Sequence, residues 1–170
     1  LIIFLSLILI SPVFADTTME NRINELLNKM TLEEKVGQMA QVTIDILVDN
    51  KTWQLDESLV KKGILDYKIG SVLNTWNNEA RTPEVWNKYV STLQDFTQKT
   101  RLKIPIVYGV DAIHGVTYTA GATLFPQQIA MAATYNRKLV RQAAEICAYE
   151  TRSGSLPWTF SPVLDLGLDY

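Results

Sequence analysis

The 170-residue chain contains one cysteine and one histidine. A single cysteine excludes an intrachain disulfide framework and a cysteine-rich zinc site. A single histidine excludes a metal centre built from histidines alone and leaves few ways to assemble a nucleophile–histidine relay. Neither sign of charge dominates: 16 Lys+Arg stand against 18 Asp+Glu, interspersed, for a net charge of −2. Nucleic-acid binders carry a basic patch or stripe, so this balance argues against such a partner. No apolar run reaches the roughly 20 residues of a membrane-spanning helix. There is no glycine-rich phosphate loop and no G-x-S-x-G elbow, so neither nucleotide chemistry nor serine-hydrolase chemistry has support. What remains is 47% hydrophobic and 20% charged residues, an ordinary globular composition. The length fits one domain or a piece of a larger one.

Residues Leu1 to Ile10 are apolar apart from Ser6, and Ser11-Pro12-Val13-Phe14-Ala15 follows. This has the length of a signal-peptide core, with small residues at Val13 and Ala15 where a signal peptidase cuts. The expectation is a leader over 1–15, an exported product beginning at Asp16, and a few residues missing ahead of Leu1.

Beyond the leader, Ile23, Leu26, Leu27 and Met30 recur at helical spacing. Thr31-Leu32-Glu33-Glu34 is a capping box, predicting a second helix with Leu32, Val36 and Met39 inward. Residues 45–62 read as loop plus a short helix ending near Gly63. Gly70 to Asn74 reads as a buried strand. Pro83 suits the first turn of a helix whose stripe is Trp86, Tyr89, Val90, Leu93 and Phe96. Ile104 to Val110 is an almost continuous apolar run, as in a strand covered on both faces. A loop runs from Asp111 to Leu124. Asn136 then caps a long helix carrying Leu139, Val140, Ala143, Ile146 and Cys147, closed by Gly154. Trp158 to Leu164 reads as a last strand. Strands near 70, 104 and 158 separated by helices predict βαβ units and a parallel sheet. The fold class is α/β, and the chain reads as the N-terminal part of a (β/α)8 TIM-like barrel, since a complete one takes about 250 residues.

Parallel α/β folds bind ligands at the carboxyl ends of their strands. Asp111 and Asp165 occupy two such ends and Asn74 a third. A carboxylate there can accept hydrogen bonds from vicinal hydroxyls, the usual grip on a sugar ring. The residues alone leave Asp111 equally readable as a cap on a neighbouring helix, and Asp165 reads as a structural hydrogen-bonding group near the rim. Trp76 and Tyr118 are candidates for stacking on a sugar face. His114 has no oriented nucleophile nearby; Asp111 and His114 are too few ligands for zinc. It reads as a neutral imidazole hydrogen-bonded under the loop, and Cys147 as core. Asn50-Lys51-Thr52 is a glycosylation sequon.

Four stretches together are familiar: Asn21–Gln41, Ile69–Asn74, Ile104–Thr134 with its G-V-D-A-I-H-G and G-A-T-L-F-P-Q segments, and Pro157–Asp169. They resemble the N-terminal domain of glycoside hydrolase family 3, in order and spacing, on the β-glucosidase/β-xylosidase side. The Asp-x-Glu-Gly-Gly signature of the N-acetylhexosaminidase side is absent. The resemblance implies a partial (β/α)8-like domain over 16–170, followed in most members by an α/β sandwich domain. It implies a β-glycoside or oligosaccharide substrate and release of terminal non-reducing sugars with retention, with no cofactor and no metal. Asp111 matches the aspartate that binds hydroxyls of the terminal sugar, while Asp165 matches a position given no ligand contact. The family's arginine, Lys-His pair, nucleophilic aspartate and general-acid glutamate fall beyond Tyr170, so this chain supplies no catalytic residue. Leu168 stands where arginine is frequent. The alternative from another class is a truncated, non-catalytic sugar-binding or inactive module, poorly soluble alone because its sheet edge and an apolar face stay uncovered. A solute-binding protein shares the architecture but gives no account of the G-V-D-A-I-H-G loop.

Overall fold

The computed structural model describes residues 17–164, so the expected leader, Asp165 and Leu168 lie outside the described residues. Two compact units are present, divided after Thr31. The first holds α1 (Thr17–Lys29), an amphipathic helix with Glu20 in its first turn and Lys29 in its last, both favourable to the helix dipole. Its predicted stripe exists, with Leu26 and Met30 half-buried and Ile23 and Leu27 exposed.

The second unit runs α2 (Leu32–Met39), β1 (Gln41–Thr43), a 3-10 turn (Ile44–Leu47), α3 (Glu57–Lys61), a π turn (Lys62–Asp66), β2 (Ser71–Leu73), α4 (Pro83–Thr97), β3 (Val107–Val110), α5 (Gln128–Ala133), α6 (Arg137–Ser153) and β4 (Trp158–Thr159). The strands form one sheet in the order β1-β2-β3-β4. All pairings are parallel: Val42 aligns with Val72, Val72 with Tyr108, and Gly109 with Trp158. Each neighbouring pair is joined by a helical crossover, the arrangement expected from sequence.

α4 carries the core. Thr82 caps it by accepting from the Val85 amide, Pro83 starts it, and Trp86, Tyr89, Val90, Leu93 and Phe96 are all buried as predicted. They meet Val72, Tyr108 and Val110 from the sheet. Each fully buried aliphatic side chain there contributes about 1.5–3 kcal/mol relative to exposure.

Several expectations are corrected. Among the described residues the sheet has four strands rather than three: β1, only three residues long between a helix and a turn, leaves no alternation to read. α2 begins where the capping box places it, but Leu32, Val36 and Met39 face outward, Met39 being 86% exposed. The buried side of α2 is the one that carries Glu34 and Gly37. A side chain at Gly37 would overlap the Tyr67 carbonyl oxygen, so its bareness lets the α2 backbone lie against the Tyr67–Lys68 turn. Gln38 then donates to the Lys68 carbonyl (3.1 Å), and Glu34 accepts from Arg101 at 3.1 and 2.5 Å. The helix after Asp56 does not stop at Gly63 but continues to Asp66 through the π turn. α5 was not anticipated. On α6 only Ala143, Cys147 and Thr151 are buried, a narrower stripe than predicted, while Leu139, Val140 and Ile146 are exposed. β4 is confined to Trp158–Thr159 rather than reaching Leu164. The Asn50-Lys51-Thr52 sequon is exposed in a turn organised by Asp49, which accepts from Lys51 and Thr52.

Candidate functional site

The carboxyl ends of the strands lie on one side of the sheet. Asp45 follows β1 by two residues, and Asn74 directly follows β2 and Asp111 directly follows β3. Asn74 adopts φ 65°, a left-handed conformation that asparagine tolerates better than most side chains. Its carbonyl accepts from the Tyr108 hydroxyl (2.8 Å) and its amide donates to the Gly109 carbonyl (3.0 Å), so the end of β2 is fixed against β3. Burial raises the Tyr108 phenol well above its ordinary pKa, with the Asp45 charge adding to it.

Asp111 is half-buried at the root of a long loop that leaves β3 and returns to α5. The Tyr118 phenol in that loop is also raised, by burial first and by the Asp111 charge second. Tyr118 is half-buried and packs against the core cluster. Its carbonyl accepts from the Trp86 indole and from the Arg81 amide, both at 2.9 Å. The Ala120 amide donates to the Arg81 carbonyl (2.8 Å), which pins the loop tip to the segment ahead of α4.

Trp76 is not available for stacking. It is 1% exposed, stacked on Tyr89 at 4.3 Å, edge-on to Trp86 and covered by the Arg81 guanidinium at 4.5 Å. His114 sits under the loop as expected, with Nδ1 donating to the Phe125 carbonyl at 3.0 Å. A carbonyl oxygen only accepts, so that nitrogen carries the proton. Cys147 is buried and donates to the Ala112 carbonyl (3.3 Å); burial pushes its thiol pKa up.

Four buried side-chain atoms lack a hydrogen-bond partner among the described residues: Asn74 Oδ1, Arg81 Nε, Thr119 Oγ1 and Ser161 Oγ. All four belong to the loops after β2, β3 and β4, on the Asp111 side of the sheet. Unsatisfied polar atoms are rare in folded interiors and concentrate where water or a ligand completes the set. A cavity of about 800 Å³ lies between α5, α6, the start of the Asp111 loop and the segment after β4; its wall is mostly apolar, with Phe125, Met131, Val140 and Ala143, but also takes in His114 and the unsatisfied Ser161. Asp111 is not part of its wall, and an apolar lining offers little to a hydroxyl-rich sugar. Among the described residues no three His, Cys, Asp or Glu side chains gather as a metal site, and no helix is long and apolar enough to cross a membrane.

The model of the glycosyl hydrolase family 3 N-terminal domain matches residues 31–170. The chain belongs to glycoside hydrolase family 3. Among its family 3 relatives, the lysosomal β-glucosidase of Dictyostelium discoideum is 34% identical over 86% of this chain and 19% of its own length. The periplasmic β-glucosidase of Salmonella typhimurium is 28% identical, over 86% of this chain and 17% of its own. The chain therefore spans about a fifth of the curated relatives it matches. A crystal structure of a mutant exo-1,3/1,4-β-glucanase from a Pseudoalteromonas species superimposes with a TM-score of 0.73 and 32% identity, covering 86% of this chain and 23% of that one. The α/β class and the barrel-like family 3 fold expected from sequence both hold.

Sequence reasoning missed two residues that hold the Asp111 loop. Arg81 and Glu150 of α6 act on the Asp111 loop through tertiary contacts that leave no spacing in the sequence.

Proposed function

We propose that this chain is the sugar-gripping part of an exported, retaining β-glycosidase that removes terminal non-reducing β-D-glycosyl residues. Asp111 accepts hydrogen bonds from hydroxyls of the terminal sugar, and Tyr118 presents a ring beside it. The observation that carries the reading is the half-buried Asp111 carboxylate at the end of β3, under a loop held from several sides. Family membership supports the reaction class, and the periplasmic and lysosomal names of the relatives support export. Retention requires two carboxyl groups about 5–5.5 Å apart across the glycosidic bond. In this reading that pair, the sugar-holding arginine and the Lys-His pair are not among residues 17–164. The role of this chain is to hold the ring while other groups attack and protonate. Hydrogen bonds to ring hydroxyls tighten as the oxocarbenium-like transition state forms, so the grip raises kcat as well as lowering KM.

The test uses the whole gene product on aryl β-glucosides and β-xylosides. Asp111→Asn retains the shape but loses charge-assisted acceptance, and kcat/KM should fall by about 100-fold or more, as when a transition-state hydrogen-bond partner is removed. Near-wild-type kinetics would remove Asp111 from the site. A wild-type product that binds sugar without hydrolysing any of these substrates would favour the non-catalytic module.

A further inference from the structure

We propose that Glu150 is a positioning residue that holds Asp111 in register for the sugar; the inference rests on the reading of Asp111 given above. The loop that starts at Asp111 comes back to its own root. The Phe125 amide donates to the His114 carbonyl at 2.8 Å and His114 Nδ1 donates to the Phe125 carbonyl at 3.0 Å, so the outgoing and returning stems are zipped together. Gly115 lies against the Thr123 carbonyl within the same zipper. A closed loop of this kind can still swing as a body about its two feet. α6 prevents that at both of them.

At the outgoing foot, Cys147 donates to the carbonyl of Ala112, the residue after Asp111, and Thr159 of β4 accepts from the Ala112 amide at 3.3 Å. At the returning foot, one turn further along α6, the Glu150 carboxylate takes Thr123 with both oxygens. One accepts from the Thr123 amide at 2.9 Å and the other from its hydroxyl at 2.8 Å. Bonds to an ionised acceptor are roughly twice as strong as neutral ones, and two in parallel fix direction as well as distance. The C-terminal end of α6 is tied to α4, where Asn87 donates to the Ser153 carbonyl at 2.9 Å and Gly154 lies against Trp86. That end of the helix is therefore held in place, and Glu150, three residues before Ser153, is its tie to the returning stem. Removing it frees the returning stem, and through the zipper the outgoing stem three residues from Asp111.

The experiment is a double-mutant cycle on the whole gene product, with kcat and KM measured separately on its best aryl β-glycoside. Glu150→Ala should lower kcat/KM by about ten- to a hundredfold, mostly in kcat, the scale of a misplacement of about 1 Å. Glu150→Gln should recover most of this, because its amide oxygen accepts from the Thr123 amide and its NH2 donates to the Thr123 hydroxyl. In the Asp111→Asn background the further loss from Glu150→Ala should shrink to within about threefold, since there is no grip left to misplace. Full multiplicative loss in that background would mean Glu150 supports only general stability and would overturn the inference. So would Glu150→Ala kinetics within about twofold of wild type while Asp111→Asn is impaired, a pair of results that leaves the Asp111 reading intact. Wild-type kinetics in Asp111→Asn would overturn both. Should Glu150→Ala fail to fold, Thr123→Ala removes one of the two bonds and runs through the same cycle.

Discussion

Two glycines of the Asp111 loop separate backbone strain from steric overlap. Both have positive φ, +102° at Gly115 and +83° at Gly121. Around Gly121 there is open space where a side chain would stand, so Gly121→Ala adds only the strain of a left-handed alanine, about 1–2 kcal/mol. At Gly115 an added Cβ would overlap the Thr123 carbonyl oxygen, a backbone atom that cannot rotate aside. The stems must then part, and the two His114–Phe125 hydrogen bonds, worth about 1 kcal/mol each, are lost along with the strain. Gly115→Ala should therefore cost about 3–5 kcal/mol locally.

Native-state hydrogen exchange on the whole gene product reads this directly at the amides of Thr123 and Phe125, which donate to Glu150 and His114. A tenfold change in opening corresponds to about 1.4 kcal/mol, so exchange should accelerate by about two to four decades in Gly115→Ala and about one in Gly121→Ala. Gly121→Asn should regain part of its smaller loss, because asparagine tolerates the left-handed region. Equal acceleration in the two alanine variants would refute the zipper, as it would show that the Thr123 carbonyl gives way without opening the stems.

Cys147 should resist alkylation by iodoacetamide at neutral pH in the native protein and react rapidly in denaturant, because it is buried and burial raises its thiol pKa. Rapid native-state labelling would contradict its seat under Ala112. Asp56 caps α3, with its carboxylate accepting first from the Ser58 hydroxyl and then from the Leu59 amide, and its pKa is held below the ordinary carboxylate value. A depressed carboxylate contributes stability above its unfolded pKa of about 3.9 and loses it as pH falls through the folded value. Denaturant titrations should show Asp56→Ala less stable than wild type by a constant amount from neutral pH to about pH 5, with the gap closing in acid below the unfolded pKa. A gap that persists undiminished at pH 2 would contradict the charged cap.

Elements whose own residues specify them were legible from sequence. α4 declares itself through Thr82, Pro83 and five apolar residues at helical spacing, and the structure buries all five. β3 shows as an almost continuous apolar run, of which the structure makes a strand over Val107–Val110 and buries Tyr108, Gly109 and Val110, while Val107 stays exposed. The errors lie where a distant backbone decides the outcome. α2 has the periodicity of a helix resting on Leu32 and Val36, yet Gly37 lets the opposite side approach the turn at Tyr67–Lys68, and backbone-to-backbone packing overrides the stripe. β1 is three residues long, so its register with β2 comes from neighbours rather than from alternation within it.

The site divides along the same line. Asp111 could be placed at a strand end because the strand before it could be seen. Trp76 could not be told apart from a stacking platform, since an aromatic residue after a strand looks the same whether it faces solvent or a buried neighbour. What decides is Tyr89 on α4, which comes from the following helix and takes one face of the indole, while Arg81 sits over the ring. The same arginine ties its own backbone to Tyr118 and Ala120. The residues that fill the space around Trp76 thus also fix the loop that carries Tyr118. A buried aromatic can still bear on the candidate site: Trp76 is part of the packed base on which the Arg81 segment rests, and that segment holds the tip of the Asp111 loop.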